Sequence, residues 1–184
     1  MAERVISVFG GSAARPGDSD WRGAESLGRR MAQAGWAVAT GGYGGIMEAV
    51  SLGAAQAGGH VIGVTCDEIE VWRTVSPNGW IQEQVRVPRL RDRLIRLIEM
   101  GRALVAFPGG VGTLSEVALS WSMLQTQTLT RRPLVLVGEV WSRMMSAFLD
   151  SAGGYVAPSD REMLSFQPDG EQAAEFILRH LSPS

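Results

Sequence analysis

A chain of 184 residues, 45% hydrophobic and 20% charged, is long enough to bury one sizeable core. Its formal net charge of −2 offers no basic field for nucleic acid, and no apolar run approaches the roughly 18 residues of a membrane span. All 17 basic residues are arginine, which excludes both a Schiff-base lysine and the lysine of a P-loop.

The first element is the β-branched run Arg4–Phe9, a buried strand ending at Gly10-Gly11-Ser12. The opening MAERVISVFGG is charged early and its apolar run is too short for a signal peptide. Residues 1–3 and 182–184 are expected to be loose ends. Asp18 or Ser19 can cap a helix to about Ala34, whose apolar positions Trp21, Ala24, Leu27 and Met31 recur at helical spacing before Gly35 stops it. Trp36–Thr40 reads as a second strand, residues 41–45 as a glycine-rich turn, and the next stretch as a helix to about Ala57. His60–Thr65 is a third strand. Cys66–Gly79, of mixed polarity, reads as a long loop of the kind that is often functional. Its cysteine is the only one, so no intramolecular disulfide can form. A soluble cytoplasmic protein is the expectation.

Ile81–Val87 is a candidate strand, and Pro88 suits the start of a helix over Arg89–Met100. In that helix Leu90, Leu94, Leu97 and Ile98 make an apolar stripe, while Arg89, Arg93 and Arg96 fall together on another face. Arg102–Phe107 is a strand. The segment FPGGVGTLSE follows, with a helix from Gly112 or Thr113 to about Leu124. Pro133–Val137 is another strand, with helices at Trp141–Ala152 and about Glu171–Leu181. Strands alternating with helices mean βαβ units. The expected fold is α/β: a single Rossmann-like domain over residues 1–184, a doubly wound parallel sheet with helices on both faces.

Three glycine clusters, at 10–11, 41–45 and 109–112, directly follow predicted strands. They should share the rim beyond the carboxyl ends of the strands, where such sheets bind ligands. At the third, the free N–H groups and positive dipole end of a helix make an anion site, with phosphate the usual occupant. The first turn, GGSAARPGD, is not GxGxxG, which argues against a dinucleotide. Glu116 lies one turn into the helix. A carboxylate so near a phosphate is electrostatically awkward unless a cationic centre forms beside it.

PGGVGTLSE fits the pattern PGGxGTxxE throughout. With TGGYGGIMEA and GGSAARPGD, it resembles the LOG ("Lonely guy") family of cytokinin-activating nucleoside 5′-monophosphate phosphoribohydrolases, many once labelled lysine decarboxylases. The likeness runs from about Arg4 to the last helix. It implies a Rossmann-like homodimer that cleaves AMP-like nucleotides to base and ribose 5-phosphate without a cofactor. By position, Gly109, Gly110, Val111, Gly112 and Thr113 would hold the phosphate, and Glu116 would be the catalytic glutamate. Arg93, in LRDRL, matches the arginine of a pattern like MHERK. Arg91 and Leu94 replace its histidine and lysine, and Ser115 stands where plant members carry a further glutamate. Gly10 and Ser12 would line the base side, and Gly41, Gly42, Gly45 and Met47 the opposite wall. Glu116 would stabilise the sugar cation and help activate water; Arg93 would serve the sugar-phosphate or the leaving base. His60 and His180 lie far apart, so no metal-ligand spacing appears. A related branch resembles molybdenum-cofactor carriers, which bind without hydrolysing. For the dimer, the helix at 89–100 and Trp121, Met123 and Leu124 of the one after the PGG turn offer surplus apolar surface.

Overall fold

Val5–Phe9 (β1) is buried along its whole length, as a strand covered on both faces must be. Around it, in a computed structural model describing residues 4–181, lie β2 (Ala37–Thr40), β3 (Val61–Cys66), β4 (Glu83–Val87), β5 (Ala103–Ala106), β6 (Leu134–Val137) and β7 (Leu164–Gln167). All pair in parallel in the order β4-β3-β2-β1-β5-β6-β7. The chain winds outward from β1 in one direction and then, from β5, in the other. The switch point therefore falls between β1 and β5, where Ile6 faces Ala103 and Phe9 faces Ala106. The loose ends expected at 1–3 and 182–184 lie outside the described residues.

Alternation along the strands builds two cores. Ile6, Val8, Val38 and Val105 point to a layer made by α1 (Ser19–Gln33), α2 (Ile46–Gln56) and, from the chain's end, α8 (Gly170–Leu181). Val5, Phe9, Ile62 and Leu104 point to the opposite layer. That layer contains α4 (Leu90–Met100), α5 (Val111–Gln125) and α6 (Glu139–Ala152). Two short helices complete the fold: α3 (Asp67–Arg73) between β3 and β4, and α7 (Pro158–Arg161) before β7. Among the described residues, no helix is long and apolar enough to cross a membrane.

Four expectations need correction. The segment Cys66–Gly79 is not all loop: Cys66 ends β3 and Asp67–Arg73 forms α3. Asp67, Glu68 and Glu70 in its first turn and Arg73 at its last suit the helix dipole. The second correction is that α5 begins at Val111, earlier than Gly112 or Thr113, with Gly110 as its N-cap.

The third concerns α4, which does not bury the whole stripe. Leu97 and Ile98 are fully buried, worth about 1.5–3 kcal/mol each, and they set its rotation; Leu90 is 44% exposed. The same rotation carries Arg93, one turn before Leu97, into the interior and leaves Arg89 and Arg96 in solvent, so the three arginines do not share a face. Finally, Trp121, Met123 and Leu124 of α5 are not surplus. Leu124 is buried in the second core, and the half-buried Trp121 donates its indole N–H to the Asp160 carbonyl at 2.8 Å.

Candidate active site

The three glycine turns meet at the switch point. Gly11 N–H donates to the Pro108 carbonyl at 3.0 Å, and Ile46 N–H donates to the Gly11 carbonyl at 3.0 Å. The turn after β1 is thus tied to both others. They rim a cavity of about 1390 Å³, larger than the roughly 300–1,000 Å³ of an ordinary small-molecule site.

On one wall stands the amino end of α5. Leu114 N–H closes the first helical bond, to the Gly110 carbonyl at 3.0 Å. The N–H groups of Val111, Gly112 and Thr113 precede that bond, and so form the positive end of a 15-residue helix. Gly110, Val111, Gly112 and Thr113 line the cavity. Gly109 sits behind them, its Cα so close to Thr113 that a Cβ would lie 2.2 Å from the hydroxyl.

Glu116 follows one turn along, 6% exposed, and faces the equally buried Arg93 across from α4. Arg93 Nη1 lies 3.5 Å from Glu116 Oε1. Its Nε–H donates to the Val64 carbonyl at 2.8 Å, its Nη2 is 3.9 Å from Met47 Sδ, and its guanidinium stands 5.7 Å from the Tyr43 ring centroid. The guanidinium fits because position 41 is glycine: a Cβ there would lie 1.7 Å from Nη2. Burial pushes the Glu116 carboxyl up from 4.5 to about 7, and Arg93 pulls against that rise. Near neutral pH this carboxyl can therefore both hold and release a proton.

The remaining expected residues divide. Gly10, Ser12, Gly41 and Met47 line the cavity with Arg93 and Glu116. Gly42 and Gly45 lie beneath the wall, Gly42 against Thr65 and Ile81, and Gly45 against the Gly11–Ser12 backbone. Sequence reasoning passed over Tyr43, although an aromatic inside a glycine run is itself a signal. Its hydroxyl accepts the Cys66 N–H at 2.9 Å and holds the wall to β3. It also missed Ile69, Trp72 and Val75, which line the cavity from α3 and the residues after it. Among the described residues no cluster of three His, Cys, Asp or Glu side chains is placed to hold a metal.

Comparison with known proteins gives the family. A family model described as "Possible lysine decarboxylase" matches residues 47–177. A cytokinin riboside 5′-monophosphate phosphoribohydrolase of Rhodococcoides fascians is 29% identical over 180 residues, 95% of this chain and 89% of that protein. A probable enzyme of the same name from Oryza sativa subsp. japonica is 30% identical over 172 residues, 90% of this chain and 74% of its own. Among solved structures, the molybdenum cofactor binding protein from the phototrophic bacterium Rippkaea orientalis superposes with a TM-score of 0.76 at 26% identity, covering 99% of both chains. The matched motif, the parallel sheet and these relatives agree: the chain belongs to the family of possible lysine decarboxylases that includes the cytokinin riboside 5′-monophosphate phosphoribohydrolases, the LOG family.

Proposed function

We propose that the protein is a nucleoside 5′-monophosphate phosphoribohydrolase. It cleaves the N-glycosidic bond of AMP-like or cytokinin riboside 5′-monophosphates to free base and ribose 5-phosphate. One observation carries the reading: a buried Arg93–Glu116 pair at 3.5 Å, one turn below a helix amino end that suits phosphate. The 5′-phosphate binds the N–H groups of residues 111–113 and the Thr113 hydroxyl, which brings the sugar over Glu116. As the bond from C1′ to the base nitrogen breaks, its electron pair leaves with the base and positive charge grows on the sugar. The Glu116 carboxylate stabilises that charge, as carboxylates do in glycosidases. Water adds at C1′, its proton passes to Glu116, and Glu116 returns it by way of solvent to the departing base, so the water ends as hydroxyl on C1′ and hydrogen on the base. Arg93, anchored on the Val64 carbonyl, orients the carboxylate and offsets part of its burial.

Lysine decarboxylation does not fit, because the chain has no lysine to hold pyridoxal phosphate as an aldimine. The likeness to the Rippkaea orientalis protein supports a second reading, a carrier that binds a nucleotide-like or molybdenum-cofactor ligand and does not cleave it. Incubation with AMP and cytokinin riboside monophosphates separates the two. Release of free base, lost in Glu116→Gln with AMP binding kept, supports the hydrolase; AMP binding with no base released by either protein supports the carrier. The reading includes a homodimer, supported by the exposed Leu90, Ile95, Leu114, Val140 and Phe148 on α4, α5 and α6.

A further inference from the structure

None of the seven residues of α3 is buried, although the helix carries Ile69, Val71 and Trp72. Polar ties fix it in place. Arg86 of β4 donates to Asp67 at 2.5 Å and to Glu70 at 3.0 Å, and Glu68 accepts the Leu90 N–H at 2.8 Å, capping α4. At its far end Arg73 donates to Ser12 Oγ at 2.9 Å across the cavity mouth, while its guanidinium stacks 4.5 Å from the Trp72 ring centroid. Trp72 itself is 72% exposed, yet it lines the cavity with Ile69, Val75, Leu90 and Leu94. The cavity therefore has three distinct parts: an anion end at α5, a buried ion pair at Arg93 and Glu116, and a wall where Trp72, Ile69, Val75, Leu90 and Leu94 present apolar surface among Glu68, Arg73, Arg89 and Arg91.

A nucleotide has three matching parts. With phosphate on α5 and sugar over Glu116, the flat apolar base is left for the wall. We propose that Trp72 is the base-stacking residue of this site. The inference rests on the nucleotide-binding reading above but not on cleavage. The Arg73 guanidinium lies over the indole as a cation–π contact, yet the side chain stays 72% exposed, which leaves ring surface for a base, and every nucleobase has a π-face that stacks on an aromatic ring. A Trp this exposed loses little on replacement when the site is empty, so its side chain acts chiefly when a ligand covers it.

The test compares AMP with ribose 5-phosphate, which lacks the base, by calorimetric titration of the full chain carrying Glu116→Gln so that AMP is not consumed. Trp72→Ala in that background should weaken AMP at least fivefold, within the roughly 5- to 150-fold typical of a lost aromatic stack. Ribose 5-phosphate should change less than twofold, and Trp72→Phe should recover most of the AMP affinity. Equal losses for both ligands, or no loss for either, would overturn the assignment while leaving phosphate binding and cleavage untouched. If AMP does not bind the parent protein at all, the nucleotide reading falls, and this inference with it.

Discussion

Replacing Glu116 by glutamine should change how stability depends on pH. Burial lifts this carboxyl from 4.5 to about 7. Each tenfold change in proton affinity is worth about 1.4 kcal/mol, so ionising Glu116 in the fold costs about 3 kcal/mol more than in the unfolded chain. Below pH 4.5 both states hold the proton and nothing is lost. Between 4.5 and about 7 the folded state holds it and the unfolded state does not, so stability falls as pH rises. Above 7 the full cost is present. Glutamine has no proton to lose. About 2.5 kcal/mol of that cost appears between pH 5 and pH 8, so the melting temperature of Glu116→Gln minus that of the wild type should rise by about 5–10 °C over that range for a chain of this size. Thermal unfolding of ligand-free protein, followed by circular dichroism at matched ionic strength, measures it. Other titrating groups are common to both proteins and cancel. A difference that stays flat would mean that Glu116 ionises as in water. One that falls with pH would mean that its attraction to Arg93 outweighs its burial.

Three other outcomes are expected. Arg93→Ala should reduce base release from AMP by at least 100-fold, whereas Arg89→Ala and Arg96→Ala, which remove exposed side chains, should stay within about threefold; steady-state kinetics on all three decide it. Gly41→Ala should reproduce much of the Arg93→Ala loss without touching the arginine, since the new methyl would occupy the guanidinium's place, and a crystal structure of the variant should show Arg93 displaced. Light scattering at micromolar concentration should give a dimer's mass, and a monomer's mass would contradict the apolar-face reading.

The sheet was legible because it depends on local signals. Apolar strands end at glycines, helices carry stops, and glycine turns that directly follow strands of a parallel sheet must share one rim. The glycine turn before α5 and the place of Glu116 one turn into that helix were legible for the same reason, being nine contiguous residues. Arg93 could be picked out only through the family pattern. Its neighbours Arg89 and Arg96 look alike in sequence, and what turns Arg93 inward is the space at Gly41, the Val64 carbonyl and the packing of Leu97, all distant along the chain. The helix α3 was hidden because it buries nothing, so it has no apolar periodicity; its charge order, acids first and arginine last, was the available sign. Strand β7 is four residues long at the sheet edge, and LSFQ carries too little pattern to stand out.

A helix that buries none of its residues and is held by exposed ion pairs, each worth about 0–1 kcal/mol, has little to lose by opening. Its amides need no global unfolding to meet solvent, so in hydrogen exchange residues 67–73 belong to the fast class while β1 and β5, buried on both faces, set the slow limit. The peptide bond after Arg73 leads into Thr74, which holds a left-handed backbone at φ 51°. That bond combines exposure with an arginine, which makes it a natural site for limited trypsin cleavage. Anything that fills the cavity and presses on Trp72 would slow both processes. The empty and filled states of this protein can therefore be told apart by protection alone, with no need for a substrate that turns over.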